Sequence, residues 1–185
     1  MNKRLFLLSV PMVLVPYLAL FTLFTIFFST KVPFFRWVME SVFRGNALYL
    51  IAAMLLYCAL TVTVSVICFF ISINKNWDAL SLAKFAMIVK LAQIPAYLCI
   101  FVFGVILVIA ILTIPFSIGL FAIACLSVFT TGLFVISSVI IAIRKNIYTF
   151  NDVFWVILLQ FVFCADVISS VVYYIRLKEL SNTLL

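Results

Sequence analysis

The chain has 185 residues, of which 69% are hydrophobic and 9% charged, with a formal net charge of +7 and a mean hydropathy of +1.43. Soluble domains are nearer half apolar and a quarter charged, so this composition excludes a soluble fold. The absence of histidine removes the most common general base and the most common metal ligand. We therefore expect an integral membrane protein with no catalytic residue, no metal site and no cofactor.

Five apolar segments are each long enough to cross a hydrocarbon core of about 30 Å. They predict an all-α fold, a helical membrane bundle that forms one transmembrane domain over residues 1–185. The five helices are expected roughly at residues 5–29, 46–73, 84–113, 118–143 and 152–176. Pro11 and Pro16 should kink the first helix and leave backbone carbonyl groups for neighbouring helices to satisfy.

A short charged stretch at residues 30–45 follows the first segment. Arg36, Glu40 and Arg44 recur every four residues, with apolar side chains on the opposite side. This pattern predicts an amphipathic helix in the membrane interface. A gate or docking element is one interpretation, and a charged connector with Trp37 at headgroup depth is the favoured one.

The middle of the chain predicts a tight helical hairpin. Asp78 is suited to cap the N-terminus of the lead-in to the third segment. The third and fourth segments together are too long for one crossing, and the only credible break between them is at residues 114–117. The five cysteines lie within apolar segments and are expected to be packing residues.

The distribution of lysine and arginine predicts the orientation. With five crossings, seven basic residues fall on the N-terminal side and five on the other, which favours a cytoplasmic N-terminus and an external C-terminus. The basic residues stand at the ends of apolar segments and leave no contiguous polar surface. Nucleic-acid binding is therefore not expected.

Asp166 is the acidic residue that lies deep in a predicted span, near the bilayer middle if residues 152–176 form one continuous helix. At 100° per residue, Ser169, Ser170 and Tyr173 share its face, whereas Gln160 points elsewhere. The fifth segment therefore predicts a half-polar face centred on Asp166.

The third segment carries a matching polar face. Lys90, Gln93 and Tyr97 are spaced by three and four residues. The Tyr97 hydroxyl is expected to donate to Asp166, and Lys90 is expected to extend toward the interface rather than reach the acid. The candidate intramembrane polar site comprises Asp166, Ser169, Ser170, Tyr97, Gln93 and Lys90.

Two interpretations of this site remain open. An intramembrane acid is a candidate for proton or ion handling. The favoured alternative is a protonated carboxyl group that hydrogen-bonds between helices, because one acid without a second titratable group at the same depth makes an incomplete relay. The Asp166→Asn variant would separate them, since asparagine keeps hydrogen bonding but does not titrate.

The runs KLAQIPAY at residues 90–97, IPF at 114–116 and LQFVFCADVIS at 159–169 resemble an uncharacterised family of small multi-pass membrane proteins from Gram-positive bacteria. The similarity spans residues 84–178. It implies a bacterial plasma membrane but no activity, because the function of that family is unknown.

These observations predict a multi-pass plasma-membrane protein that is not an enzyme. We expect a membrane subunit or accessory protein that acts through helix–helix contacts in the lipid bilayer, with a membrane-protein partner or as a homo-oligomer. The alternative is a homo-oligomeric transporter or channel that uses Asp166 for proton or cation handling.

Overall fold

The computed structural model describes residues 3–109, 113–162 and 165–183, with side chains described between Val10 and Ser181. These residues form seven helices and no strand. The helices are α1 (Lys3–Phe28), α2 (Pro33–Phe43), α3 (Ala47–Asn74), α4 (Ala79–Ile109), α5 (Ile114–Arg144), α6 (Phe150–Leu159) and α7 (Ala165–Thr183).

Four stretches are long and apolar enough to cross a membrane: Val10–Phe28, Ala47–Asn74, Ala79–Ile109 and Ile114–Arg144. The helical membrane bundle predicted from the sequence is therefore confirmed, but five crossings are not. The predicted amphipathic helix is α2, which packs against α1 and α3 and buries Val38 and Met39.

The helices form one bundle around α5, which contacts α1, α3, α4, α6 and α7. One end of the bundle, here called the Arg144 end, is where α5 ends and α6 begins. At this end the Arg144 guanidinium donates to the carbonyl of Ile73, which fixes the last turn of α3 beside the last turn of α5. At the opposite end, here called the α2 end, the ring of Phe27 packs edge-on against Phe116 at the start of α5.

The predicted fifth helix is two helices. The chain leaves α6 after Leu159, and α7 begins at Ala165, with residues 163 and 164 outside the described part of the chain. Gln160, just after α6, contacts Lys90 inside the bundle. Tyr173 in α7 packs against Tyr148, a residue that precedes α6 at the Arg144 end. The two helices therefore form a hairpin that enters and leaves the bundle at the Arg144 end.

This hairpin changes the topology. The start of α1, the end of α3, the start of α4 and both ends of the hairpin lie at the Arg144 end, as shown by Met12, Cys68, Phe85 and Tyr173 in one buried cluster. The prediction that the two ends of the chain lie on opposite sides is therefore wrong. The reason is that the last apolar segment turns back inside the bundle.

Two predicted local features are confirmed. The Asp78 carboxylate accepts a 2.9 Å hydrogen bond from the amide of Ser81, as an N-cap should. Proline 16 has no amide hydrogen for the carbonyl of Met12, and the side-chain amide of Gln93 donates to that carbonyl instead, at 2.8 Å. A neighbouring helix thus satisfies a backbone group freed by proline, as expected in a membrane.

Candidate functional site

The tip of the α6–α7 hairpin places Asp166 in the first turn of α7, against α4. A carboxylate at a helix N-terminus is stabilised by the helix dipole. Lys90 lies 11 residues into α4, about 16 Å from its start, and the tip of the hairpin meets it at that depth. The exposed Lys84 lies about 9 Å nearer the Arg144 end on the same helix.

Lys90 and Asp166 form an ion pair in the bundle interior. Lys90 Nζ lies 3.1 Å from Asp166 Oδ2, and the two side chains are 0% and 1% exposed. The ammonium group also donates to Gln160 Oε1 and lies 3.4 Å from the Asp166 carbonyl oxygen. The prediction that Lys90 extends away from the acid is therefore wrong, because the hairpin tip brings three acceptors within its reach.

Gln160 is the residue that the sequence analysis excluded from this site. It is fully buried, its Oε1 accepts from Lys90, and its Nε2 donates to Ser169 Oγ at 2.8 Å. The prediction that it points elsewhere assumed an unbroken helix through residue 166. The break after Leu159 changes the direction of the chain. The rotation of 100° per residue applies within a single helix, so it cannot relate Gln160 to residues in α7.

Ser169 and Ser170 line the site from α7, as predicted. Their hydroxyl groups donate to the Asp166 carbonyl oxygen at 3.1 and 2.7 Å, and Ser170 Oγ also lies 3.3 Å from Gln160 Oε1. Within the described residues, neither carboxylate oxygen of Asp166 receives a hydrogen bond. The carboxylate oxygen Oδ2 contacts Lys90 Nζ at ion-pair distance. Asp166 therefore depends on one charged partner.

The other two predicted site residues form a neutral network one turn further along α4. Tyr97 Oη donates to Gln93 Oε1 at 2.8 Å and lies 3.1 Å from Ser127 Oγ, and Gln93 Nε2 donates to Ser127 Oγ at 2.9 Å. The predicted hydrogen bond from Tyr97 to Asp166 is not formed, because the Tyr97 hydroxyl is directed at Gln93 and Ser127. The polar face of α4 thus divides into an ionic cluster and a neutral cluster.

A pocket of about 370 Å³, lined by both apolar and polar side chains, opens at the mouth of the hairpin, at the Arg144 end. Tyr148, Asp152, Tyr173 and Arg176 contribute its polar lining. Hydrogen bonds from the Thr149 hydroxyl and amide hold the pKa of Asp152 below its ordinary value. Burial raises the pKa of Tyr148 above its ordinary value, so its hydroxyl stays protonated near neutral pH.

The pocket has two further polar features. The Tyr148 hydroxyl is buried and has no hydrogen-bond partner among the described residues. At the inner side, Tyr173 Oη lies 3.2 Å from Ser138 Oγ, and Ser138 donates to the carbonyl of Ala79. Tyr173 is therefore shared between the pocket and the buried core.

The comparisons with known proteins give no relative. The chain matches no family model, no curated protein and no solved structure. The resemblance to the Gram-positive membrane protein family therefore stays a prediction. In the ranges that the structure describes, no three His, Cys, Asp or Glu side chains are close enough together to hold a metal ion.

The ionic cluster brings two ionisable side chains into direct contact. Lys90 and Asp166 together carry no net charge when both are ionised, and one proton added to Asp166 leaves a buried positive charge. Because isolated charges are costly in such an interior, the two protonation states should differ in how strongly α7 is held against α4.

Proposed function

We propose that this chain is a multi-pass membrane protein that moves protons or a small cation across the bilayer and that the Lys90–Asp166 pair is its ion-handling site. The observation that carries the proposal is a fully buried ion pair at the tip of a broken-helix hairpin. Ionisable residues inside membrane bundles commonly mark ion pathways, and broken helices often form the substrate sites of transporters.

The pair removes the main objection to ion handling. From the sequence, Asp166 was one acid without a second titratable group at the same depth. Lys90 is that second group, and the same chain buries both side chains. The site itself therefore does not need a second copy of the chain to enclose it, although assembly into a homo-oligomer remains part of the proposal for a complete path.

The hairpin offers a mechanism that couples the proton to movement. In the charged state, Asp166 attracts Lys90 and the hairpin tip is held against α4. When a proton binds the carboxylate, that attraction is lost and the Lys90 ammonium keeps Gln160 as its acceptor. The tip then has a weaker hold on α4 and can shift, which exposes the site; release of the proton restores the pair.

The new topology supports a cytoplasmic Arg144 end in a plasma membrane. Eight basic residues lie at that end: Lys3, Arg4, Lys75, Lys84, Arg144, Lys145, Arg176 and Lys178. Three lie at the α2 end: Lys31, Arg36 and Arg44. Both ends of the chain are then cytoplasmic, because basic residues concentrate on the cytoplasmic side of membrane proteins.

Proton flux into liposomes tests the function. Purified protein is reconstituted with a pH-sensitive dye inside, and a potassium gradient with valinomycin supplies the driving force. We expect wild type and the control variant Glu40→Gln, at an exposed acid on α2, to conduct equally. Asp166→Asn and Lys90→Gln should each lose the flux. Wild-type flux in Asp166→Asn, at equal reconstitution, would refute the proposal.

The topology has a separate test. Single cysteines at Ser181 and at Gly45 are treated in intact cells with a thiol reagent that cannot cross the membrane, in a background whose native cysteines are replaced by alanine. We expect labelling at residue 45 and none at residue 181 until the cells are opened. Labelling of residue 181 in intact cells would contradict the cytoplasmic C-terminus.

The function as a membrane subunit or accessory protein is our second proposal. The broad apolar face that α3 leaves exposed, which includes Leu48, Leu56, Leu60 and Phe70, supports it. Such a face accepts either lipid or a helix of another membrane protein. Extraction of the tagged protein from its native membrane in lipid nanoparticles tests this function, because a stoichiometric foreign partner supports it and its absence counts against it.

A further inference from the structure

We infer that the pocket at the mouth of the hairpin binds the headgroup of a zwitterionic phospholipid that carries a phosphate and a primary ammonium group, as phosphatidylethanolamine does. Arg176 and the Tyr148 hydroxyl bind the phosphate, and Asp152 binds the ammonium group. The pocket lies at the opposite end of the hairpin from the Lys90–Asp166 pair, so the inference does not rest on proton or cation movement.

The two charged groups in the pocket lining have opposite signs and are not paired with each other. Arg176 on α7 lines the pocket and makes no ion pair or side-chain hydrogen bond within the described part of the chain. Asp152 in the first turn of α6 accepts hydrogen bonds from Thr149 at Oδ2, which leaves Oδ1 for another donor. A ligand with one negative and one positive charge gives both residues a partner.

The Tyr148 hydroxyl is the third polar group that a headgroup satisfies. It is buried in the pocket and has no hydrogen-bond partner among the described residues. The charges of Arg176, Asp152 and Glu179 all act on it, so it lies close to the charged part of the lining. Buried polar groups in proteins normally have a partner. A phosphate oxygen held by the Arg176 guanidinium is a suitable acceptor for this hydroxyl.

Aromatic side chains next to the pocket indicate that it lies at the membrane interface. Phe150, Phe154 and Trp155 stand on either side of Asp152 in α6, and all three are exposed. Exposed aromatic side chains concentrate at the level of the lipid headgroups in membrane proteins. A pocket at this depth meets lipid headgroups at high local concentration.

The rest of the lining favours a lipid over a soluble zwitterion. It is mainly apolar, with Ile147, Val153, Val156, Val172 and Leu180. These side chains match the glycerol and the first acyl carbons of a lipid, which gain from leaving water. The volume of about 370 Å³ also lies in the range of small-molecule sites, about 300–1,000 Å³.

The charges around the pocket favour a zwitterionic headgroup over an anionic one. The lining combines the basic Arg176 with the acidic Asp152, and Glu179 adds a second negative charge nearby. An anionic headgroup binds Arg176 but is repelled by the two carboxylates. A choline headgroup is zwitterionic but has no N–H donor for Asp152, whereas a primary ammonium group has three.

Native mass spectrometry of the full chain in detergent tests the site. The protein is titrated with phosphatidylethanolamine, phosphatidylcholine or phosphatidylglycerol of identical acyl chains, and the dissociation constant of the first bound lipid is measured. We expect phosphatidylethanolamine to bind about tenfold more tightly than either of the others, because only its headgroup carries an ammonium group that can donate to Asp152.

Two variants separate the two halves of the headgroup. Asp152→Asn keeps an acceptor for Thr149 but removes the charge, so it should abolish the preference for phosphatidylethanolamine over phosphatidylcholine. Its control is Asp78→Asn, an N-cap acid outside the pocket. The ratio of the two lipid affinities is measured within each variant, so it does not depend on how much of the protein is folded.

Arg176→Gln removes the phosphate partner and should weaken the binding of all three lipids by about tenfold. Its control is Lys178→Gln, which removes an exposed charge from the same helix outside the pocket lining. Both control variants should bind lipids as wild type does.

The contrary outcomes are distinct. Equal binding of phosphatidylethanolamine and phosphatidylcholine by wild type, or an unchanged preference in Asp152→Asn, would overturn the ammonium site. Tighter binding of phosphatidylglycerol would overturn the zwitterionic class. Displacement of bound lipid by free phosphoethanolamine at the same concentration would show that a soluble ligand, and not a lipid, is the occupant. None of these results depends on whether the protein conducts protons.

Discussion

Two polar clusters lie on successive turns of α4, and they differ in how well their hydrogen-bonding groups are satisfied. Gln93 in the neutral cluster uses both ends of its amide, on Met12, Ser127 and Tyr97. Asp166 in the ionic cluster receives no hydrogen bond at either carboxylate oxygen within the described part of the chain. The neutral cluster has the bonding of a structural network, whereas the Asp166 carboxylate relies on its ion pair with Lys90.

The largest expected effect comes from breaking the ion pair. Asp166→Leu leaves the Lys90 ammonium buried and unpaired, which should cost about 3–5 kcal/mol of unfolding free energy. The double variant Lys90→Met, Asp166→Leu should recover most of that loss, because apolar side chains of similar size need no charged partner. Denaturant unfolding in detergent micelles measures both.

The double variant also separates stability from activity. It should keep most of the wild-type stability and carry no proton flux. The single variant Lys90→Met completes the cycle. If the stability loss of the double variant equals the sum of the losses in Asp166→Leu and Lys90→Met, Lys90 and Asp166 do not act as one unit and the comparison of the two clusters is wrong.

The second effect concerns the neutral cluster. Gln93→Leu removes the donor to the Met12 carbonyl and should cost about 1–3 kcal/mol, the penalty of a buried unsatisfied polar group. In a Pro16→Ala background the cost should shrink, because residue 16 then supplies the usual helical donor to that carbonyl. Unfolding measurements on the four members of this double-mutant cycle give the difference.

The same cycle sharpens the contrast with the ionic cluster. Gln93→Leu should leave proton flux at the wild-type rate in protein that remains folded. An equal stability cost in both backgrounds would show that Gln93 does not compensate for Pro16.

The sequence predicts most of the fold but not the hairpin. Apolar length gives α1, α3, α4 and α5, and helical spacing gives the polar faces on α4 and α7. The sequence between Leu159 and Ala165 is QFVFC, which contains neither proline nor glycine to mark a break. The observed contacts that accompany the turn are tertiary, since Lys90 on α4 binds both Gln160 and Asp166.

That one missed break explains the errors for Gln160 and Lys90. Spacing rules apply within a helix, so they correctly group Ser169, Ser170 and Asp166 but misplace Gln160, which lies across the turn. The same break returns the chain to the Arg144 end. The predicted distribution of basic residues was seven on the N-terminal side and five on the other. The structure has eight at the Arg144 end and three at the α2 end, with Lys90 inside the bundle. Lys90 and Asp166, two oppositely charged residues that each stand within an apolar segment, were the signal in the sequence for this contact.

The smallest expected effect tests how closely the hairpin tip approaches α5. A Cβ atom added at Gly132 would lie 3.6 Å from Gln160 Cβ and 3.8 Å from its carbonyl oxygen, which are ordinary contact distances. Gly132→Ala should therefore fit without moving the tip, leave the flux unchanged and raise the unfolding free energy by up to about 1 kcal/mol, since alanine favours the helix. Gly132→Leu is too large for that space and should displace Gln160 from Lys90 and reduce the flux. A loss of stability in Gly132→Ala would mean that the tip packs more tightly on α5 than these distances allow, and equal flux in both variants would show that the position of Gln160 does not matter for proton movement.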